Sequence, residues 1–120
     1  MSMSGLNFTV RVSSKCLVIT LQGALSLAGI ATMRDTALDK LNQGAVKAVI
    51  MDLSGVALVD GVEFVALRKV LAMGSLMGAK QMMVGIPPGV ASALVEMDID
   101  FSGMTHAFTV DDALKIVNGG

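Results

Sequence analysis

The sequence predicts an α/β domain built on a mixed central β-sheet, with elements in the order ββαβαβαβα. Three observations carry this. Two apolar runs separated by Ser13-Ser14-Lys15 read as an opening hairpin. After them, short apolar runs alternate with longer segments of helical period, the pattern of parallel strands joined by right-handed crossovers. The chain has 120 residues, 53% of them hydrophobic, which suits one domain with a full core.

The first strand is expected from Asn7 to Arg11, where Phe8 and Val10 alternate with polar residues. Cys16 to Leu21 is a denser run and pairs antiparallel with it. Ser26 is a helix cap, followed by Leu27, Ile30, Met33, Leu38 and Leu41 at helical spacing, with Gly44 as the stop. Ala45 to Leu53 reads as a buried strand. Ser54-Gly55 is a turn and Val56 to Val59 a short connector. Asp60 opens the next helix, and Glu63 three residues on completes a capping-box pattern. Val62, Val65, Ala66, Val70, Met73 and Met77 are expected to form its inward stripe, with Gly78 as the stop. Lys80 to Gly85 is a strand. Pro87-Pro88-Gly89 leads into a helix carrying Val90, Leu94 and Met97, since proline in a first helical turn loses no helical bond. Residues 98–103 form a loop and Thr105 to Phe108 a short strand. Thr109 caps a last helix, Val110 to Val117. Residues 1–5 and 118–120 read as flexible ends of a domain spanning 1–120.

Composition narrows the function. The formal net charge is −1, so no basic field draws the chain to nucleic acid or acidic lipid. No apolar run reaches the ~18 residues of a membrane span. The start of the sequence has no basic, apolar leader pattern, which points to a cytoplasmic protein. The single cysteine, Cys16, lies in an apolar run and reads as a core residue rather than a reactive thiol. His106 is the only histidine and has no companion in any metal or nucleophile pattern. The segment Gly85-Ile86-Pro87-Pro88-Gly89 lacks the Lys-Ser/Thr ending of a phosphate loop. No cofactor, metal or catalytic set is expected, so the protein reads as non-enzymatic. The Met set Met73, Met77, Met82, Met83 and Met97 reads mostly as core, with part available for an adaptable contact surface.

The informative stretch is Val49-Ile50-Met51-Asp52-Leu53-Ser54-Gly55-Val56, followed by Val59-Asp60. It resembles the STAS domains, the fold of bacterial anti-sigma-factor antagonists. A narrower similarity to the stressosome scaffolds of that family rests on three further segments. They are Leu76-Met77-Gly78-Ala79-Lys80, Gly85-Ile86-Pro87-Pro88-Gly89-Val90-Ala91 and Leu94-Val95-Glu96-Met97-Asp98-Ile99. The resemblance implies a single STAS domain that forms oligomers with STAS paralogues of sensor type. It also implies a serine/threonine switch kinase as partner, held until stress and released by phosphorylation. Relatives carry a hydroxyl directly after the aspartate that opens the central helix. Here that position is Gly61, and a second family position falls at Ala93; neither accepts phosphate. The neighbouring Ser92 retains a hydroxyl.

Asp60, Gly61, Val62 and Glu63 are therefore the expected partner-docking helix end, with Pro87, Pro88 and Ser92 beside it. Asp60 reads equally as a plain N-cap, and Asp52 as the acceptor for loop amides around Ser54-Gly55. Three readings of Gly61 stand open: a scaffold controlled through a paralogue, a variant altered at residue 61, or a member diverted to another binding role. An alternative role is that of a STAS accessory subunit of a membrane lipid-transport ATPase complex.

Overall fold

The computed structural model describes residues 6–119. The strands are β1 (Leu6–Ser13), β2 (Cys16–Gly23), β3 (Ala48–Gly55), β4 (Lys80–Val84) and β5 (Met104–Ala107). The helices are α1 (Leu27–Asn42), α2 (Gly61–Leu76), α3 (Pro88–Glu96) and α4 (Val110–Gly119). The sheet order is β1-β2-β3-β4-β5, with β1 antiparallel to β2 and every other pair parallel. The expected ββαβαβαβα order and mixed sheet are both present.

Local chemistry explains the elements. Ser14 and Lys15 adopt φ of 50° and 65°, the paired left-handed turn that matches strand twist and joins β1 to β2. Alternation then divides β2 and β3 between two layers. Leu17, Ile19, Leu21, Val49, Met51 and Leu53 face the main core with α1, α2 and α3. Cys16, Val18, Ala48 and Ile50 face α4 through Ala113. Each fully buried aliphatic side chain contributes about 1.5–3 kcal/mol, so this central ladder dominates stability. Burial also pushes the Cys16 thiol up from its usual range, keeping it protonated.

Several boundaries differ from the sequence reading. β3 starts at Ala48 rather than Ala45 and continues through Ser54-Gly55, where Gly55 pairs with Gln22 beyond a register shift in β2. β4 stops at Val84, because Gly85 turns the chain away at φ 68°. β5 begins one residue earlier than expected and releases Phe108, which is 90% exposed. The expected loose end at 118–119 is instead helical. Asn118 Nδ2 donates to the Ser14 and Leu114 carbonyls, and its Oδ1 accepts from Lys47 Nζ. The remaining expected flexible positions, 1–5 and 120, lie outside the described residues.

The largest correction concerns α2. Its buried face is Phe64, Leu67, Val70, Leu71 and Gly74. Val62, Val65 and Met77, expected inside, are 64%, 47% and 52% exposed. α2 is apolar nearly all round, so periodicity alone does not choose its face. Close approach to the sheet does: a Cβ on Gly74 would lie 2.5 Å from Val49 Cγ2. The helix ends at Leu76, with Met77 as its C-cap. The Gly78 amide bonds the Ser75 carbonyl and the Ala79 amide bonds the Gly74 carbonyl, with Gly78 at φ 90°.

Gly74→Ala should destabilise the fold by about 1–3 kcal/mol through this overlap, read as a lower urea midpoint with unchanged slope. Cys16 should resist a thiol reagent in the native protein and react only on unfolding. Its raised native pKa means that any stabilising contribution is complete below the unfolded thiol pKa. That contribution fades as pH rises through the folded value.

Candidate functional site

The site follows from how β3 ends. Asp52 accepts the Ser54 amide at 2.9 Å, the bond the sequence reading assigns to it, in an Asx-type turn formed within the last residues of β3, since Ser54-Gly55 extend the strand instead of leaving it. Gly85 makes this turn possible, since a Cβ there would lie 2.8 Å from Asp52 Oδ1. Val56 and Val59 then insert into the core, and Ala57 and Leu58 are left outside; Leu58 is 82% exposed. The chain reaches Asp60 in extended geometry, and α2 begins.

Asp60 and Glu63 form a reciprocal pair. Asp60 Oδ1 accepts the Glu63 amide at 2.7 Å, and Glu63 Oε1 accepts the Asp60 amide at 3.1 Å. Both carboxylates thus face inward along the helix end. Among the described residues nothing accepts from the amides of Gly61 and Val62. The helix mouth keeps free donors and the positive end of the dipole. Gly61 itself is unstrained: its nearest foreign atom to a built Cβ is Met97 Sδ, at 3.7 Å. A side chain at 61 has room.

Two apolar grooves flank this mouth, and Asp60 lines both. The first, about 910 Å³, runs between α1 and α2 over Leu27, Ile30, Gly61, Val62 and Val65, with Arg34 and Lys69 on its rim. The second, about 660 Å³, lies between the ends of β2 and β3 and α3, over Leu25, Leu58, Glu63, Ala93 and Met97. Of the residues singled out by sequence, Asp60, Gly61, Val62, Glu63 and Ala93 come together here. Pro87 and Pro88 form the start of α3, and Ser92 is exposed on that helix; none of these three lines either groove. Sequence reasoning missed Leu27, Leu58 and Val65 as surface residues, and named Met97 only within a Met set read mostly as core. Leu58 had one signal, an apolar residue in a connector with no period.

The opposite wall is fixed by α2 as well. Both Arg68 guanidinium nitrogens donate to the loop after α3, to the Asp100 and Ser102 carbonyls. Asp100 accepts the Ser102 amide, which holds its carboxyl below the usual range. Phe101 meets Phe64 and His106 edge-on, each at 5.8 Å, so the histidine serves a ring contact. Among the described residues no group of three metal-ligating side chains converges. None of the described helices is long and apolar enough to cross a membrane.

This is a sheet-and-helix domain whose exposed working feature is the mouth of α2, capped by Asp60 and Glu63 and set between apolar grooves. Residues 7–113 match the STAS domain family, and the chain belongs to it. The RsbT co-antagonist protein RsbRB of Bacillus subtilis strain 168 is 26% identical over 106 residues, covering 88% of this chain and 38% of that protein. RsbRD of the same strain is 25% identical over 97 residues, covering 81% and 35%. The chain therefore spans under two-fifths of either relative. Among solved structures, a serine-to-glutamate variant of RsbS from Moorella thermoacetica superposes with TM-score 0.76 at 23% identity, covering 94% of this chain and 98% of that one. The unphosphorylated anti-sigma factor antagonist SpoIIAA gives 0.75 at 19%, covering 95% and 98%. A chain of the stressosome gives 0.69 at 23%, covering 90% and 96%. The protein thus resembles stressosome STAS proteins and anti-sigma-factor antagonists.

Asp60→Ala should remove one half of the cap and cost about 0.5–2 kcal/mol, measured by urea denaturation. Asp60→Asn should recover most of that loss, because its amide oxygen can still accept the Glu63 amide.

Proposed function

We propose that this chain is a non-enzymatic cytoplasmic scaffold that assembles with STAS paralogues and holds a serine/threonine switch kinase at the mouth of α2. Gly61 occupies the place of the phosphoacceptor, so the docking surface stays in its unmodified form. One observation supports this most: residue 61 at the α2 mouth carries no side chain, and apolar grooves flank that mouth on both sides. Apolar surface of this extent around a polar rim is the usual mark of an interaction site.

The physics of the switch follows from the free amides. A phosphate brings about −1.5 to −2 charges. The helix end itself tolerates that charge, because the amides and dipole favour anions. A docked partner does not, since it must desolvate the phosphate and fit around it. In this chain residue 61 has neither hydroxyl nor charge, so release of a held kinase depends on modification of a paralogue. The apolar grooves give such a partner a dry contact, and Arg34 and Lys69 set its charge preference at one rim.

The test is intact-mass measurement after incubation with the co-purifying kinase and ATP. The wild-type chain should bind the kinase and gain no phosphate. Gly61→Ser should gain one phosphate at residue 61 and lose kinase affinity. Phosphate on the wild-type helix mouth, or a kinase indifferent to substitutions in both grooves, would overturn the reading.

A further inference from the structure

α2 has two apolar faces, and the fold uses one of them. Phe64, Leu67, Val70, Leu71 and Gly74 are buried against the rest of the domain. The exposed residues of the helix are Val62, Val65, Lys69, Ala72, Ser75 and Leu76. All but Ser75 follow one spacing: Val62, Val65, Lys69, Ala72 and Leu76 stand three, four, three and four residues apart. That is the spacing of the seam positions in a coiled coil. Val62, Val65 and Leu76 are 64%, 47% and 90% exposed. The outer face of a surface helix ordinarily carries polar and charged residues. Here its one charge is Lys69.

We propose that this outer face of α2 docks an amphipathic helix of another protein, packed as in a coiled coil, with apolar side chains against Val62, Val65, Ala72 and Leu76 and a carboxylate against Lys69. The spacing selects a helix, because an extended segment presents side chains with a period of two and matches no such row. At about 1.5 Å per residue the seam is about 21 Å long, so the occupant has about four turns. Charge selects the carboxylate. Glu63, the one acidic residue of α2, is bound within its own cap. Arg34, which lines the same groove as Lys69, lies 3.2 Å from the neighbouring Asp35. Among the described residues no acidic side chain pairs with Lys69. A single lysine in an apolar seam fixes register and partner choice at some cost in stability. It also argues against a second copy as occupant. Lys69 is the middle position, so full overlap of two α2 helices sets Lys69 against Lys69 in either direction, and like charges repel.

α1 supplies a second wall to part of this seam. Both helices leave the carboxyl end of a parallel strand, so they run in the same direction side by side. Leu27, Ile30 and Ala31 line a groove with Val62 and Val65, which makes the first turns of the seam a trough. That groove stops short of Ala72 and Leu76, where the occupant rests on α2 alone. The seam therefore begins at the mouth and continues to the far end of the helix. It shares Val62, Val65 and Lys69 with the docking surface of the kinase reading but does not rest on that reading, since spacing and charge along α2 carry it.

The test uses the full chain and two synthetic helical peptides of about four turns. Both carry leucine at the seam positions and alanine and glutamine elsewhere. The central seam position is glutamate in one peptide and lysine in the other. Binding is read by fluorescence anisotropy of the labelled peptide. The wild type should bind the glutamate peptide at least about tenfold tighter than the lysine peptide, and Lys69→Glu should reverse that preference. Leu76→Gln should weaken the glutamate peptide about tenfold. Its urea midpoint should stay close to that of the wild type, because Leu76 is exposed. Lys115→Glu, exposed on α4, should leave both affinities unchanged. Failure of the glutamate peptide to bind, a preference that survives Lys69→Glu, or an equal effect of Lys115→Glu would overturn the proposal. So would a dimer of the chain alone that Leu76→Gln dissociates, since a second copy would then occupy the seam. No kinase enters this experiment, so its result is separate from the phosphate test.

Discussion

Strand β3 is dry on both faces from Ala48 to Met51. Val49, Met51 and Leu53 pack under the main helical layer, Ala48 and Ile50 under α4, and none is more than 1% exposed. Parallel partners flank it on both sides, β2 and β4, from Ala48 to Asp52. A strand held this way cannot slip, because one step of register would turn every side chain to the wrong layer. Its end point is therefore fixed, and the Asp52 turn, the Val56 and Val59 anchors and the start of α2 are fixed with it. Gly74 adds the second constraint, seating α2 directly on Val49. The position of the helix mouth is a consequence of core packing rather than of any interaction at the mouth itself.

That separation matters for what the mouth can do. The Asp60–Glu63 pair satisfies two helix-end amides and uses the lone pairs of two carboxylates in the process. The acidic residues are thereby aimed along the backbone, and the surface presented outward is carried by Gly61, Val62, Leu58 and Met97. Residue 61 has space, ordinary backbone geometry and no structural duty. A residue with no structural duty in the first turn can change freely between glycine, serine and threonine without disturbing the fold. Such a position suits a modification site in one protein and an inert one in its relative.

Much of this was legible in the sequence, for identifiable reasons. The hairpin, the alternation of strands and helices and the capping box are local patterns, and local patterns survive into the fold. The Asp52 bond was legible because a short aspartate side chain reaches the amide two residues on, whereas the turn expected at Ser54-Gly55 gave way to the pairing of Gly55 with Gln22. The face of α2 was not, since apolar residues surround the helix and the deciding contact, Gly74 on Val49, is non-local. The end of α4 was missed for a similar reason. Asn118 and Gly119 have poor intrinsic helix preference, and the bonds from Asn118 to Ser14 and Lys47 come from the other end of the chain. The grooves combine residues from α1, α2, α3 and two loops, and no sequence window contains them.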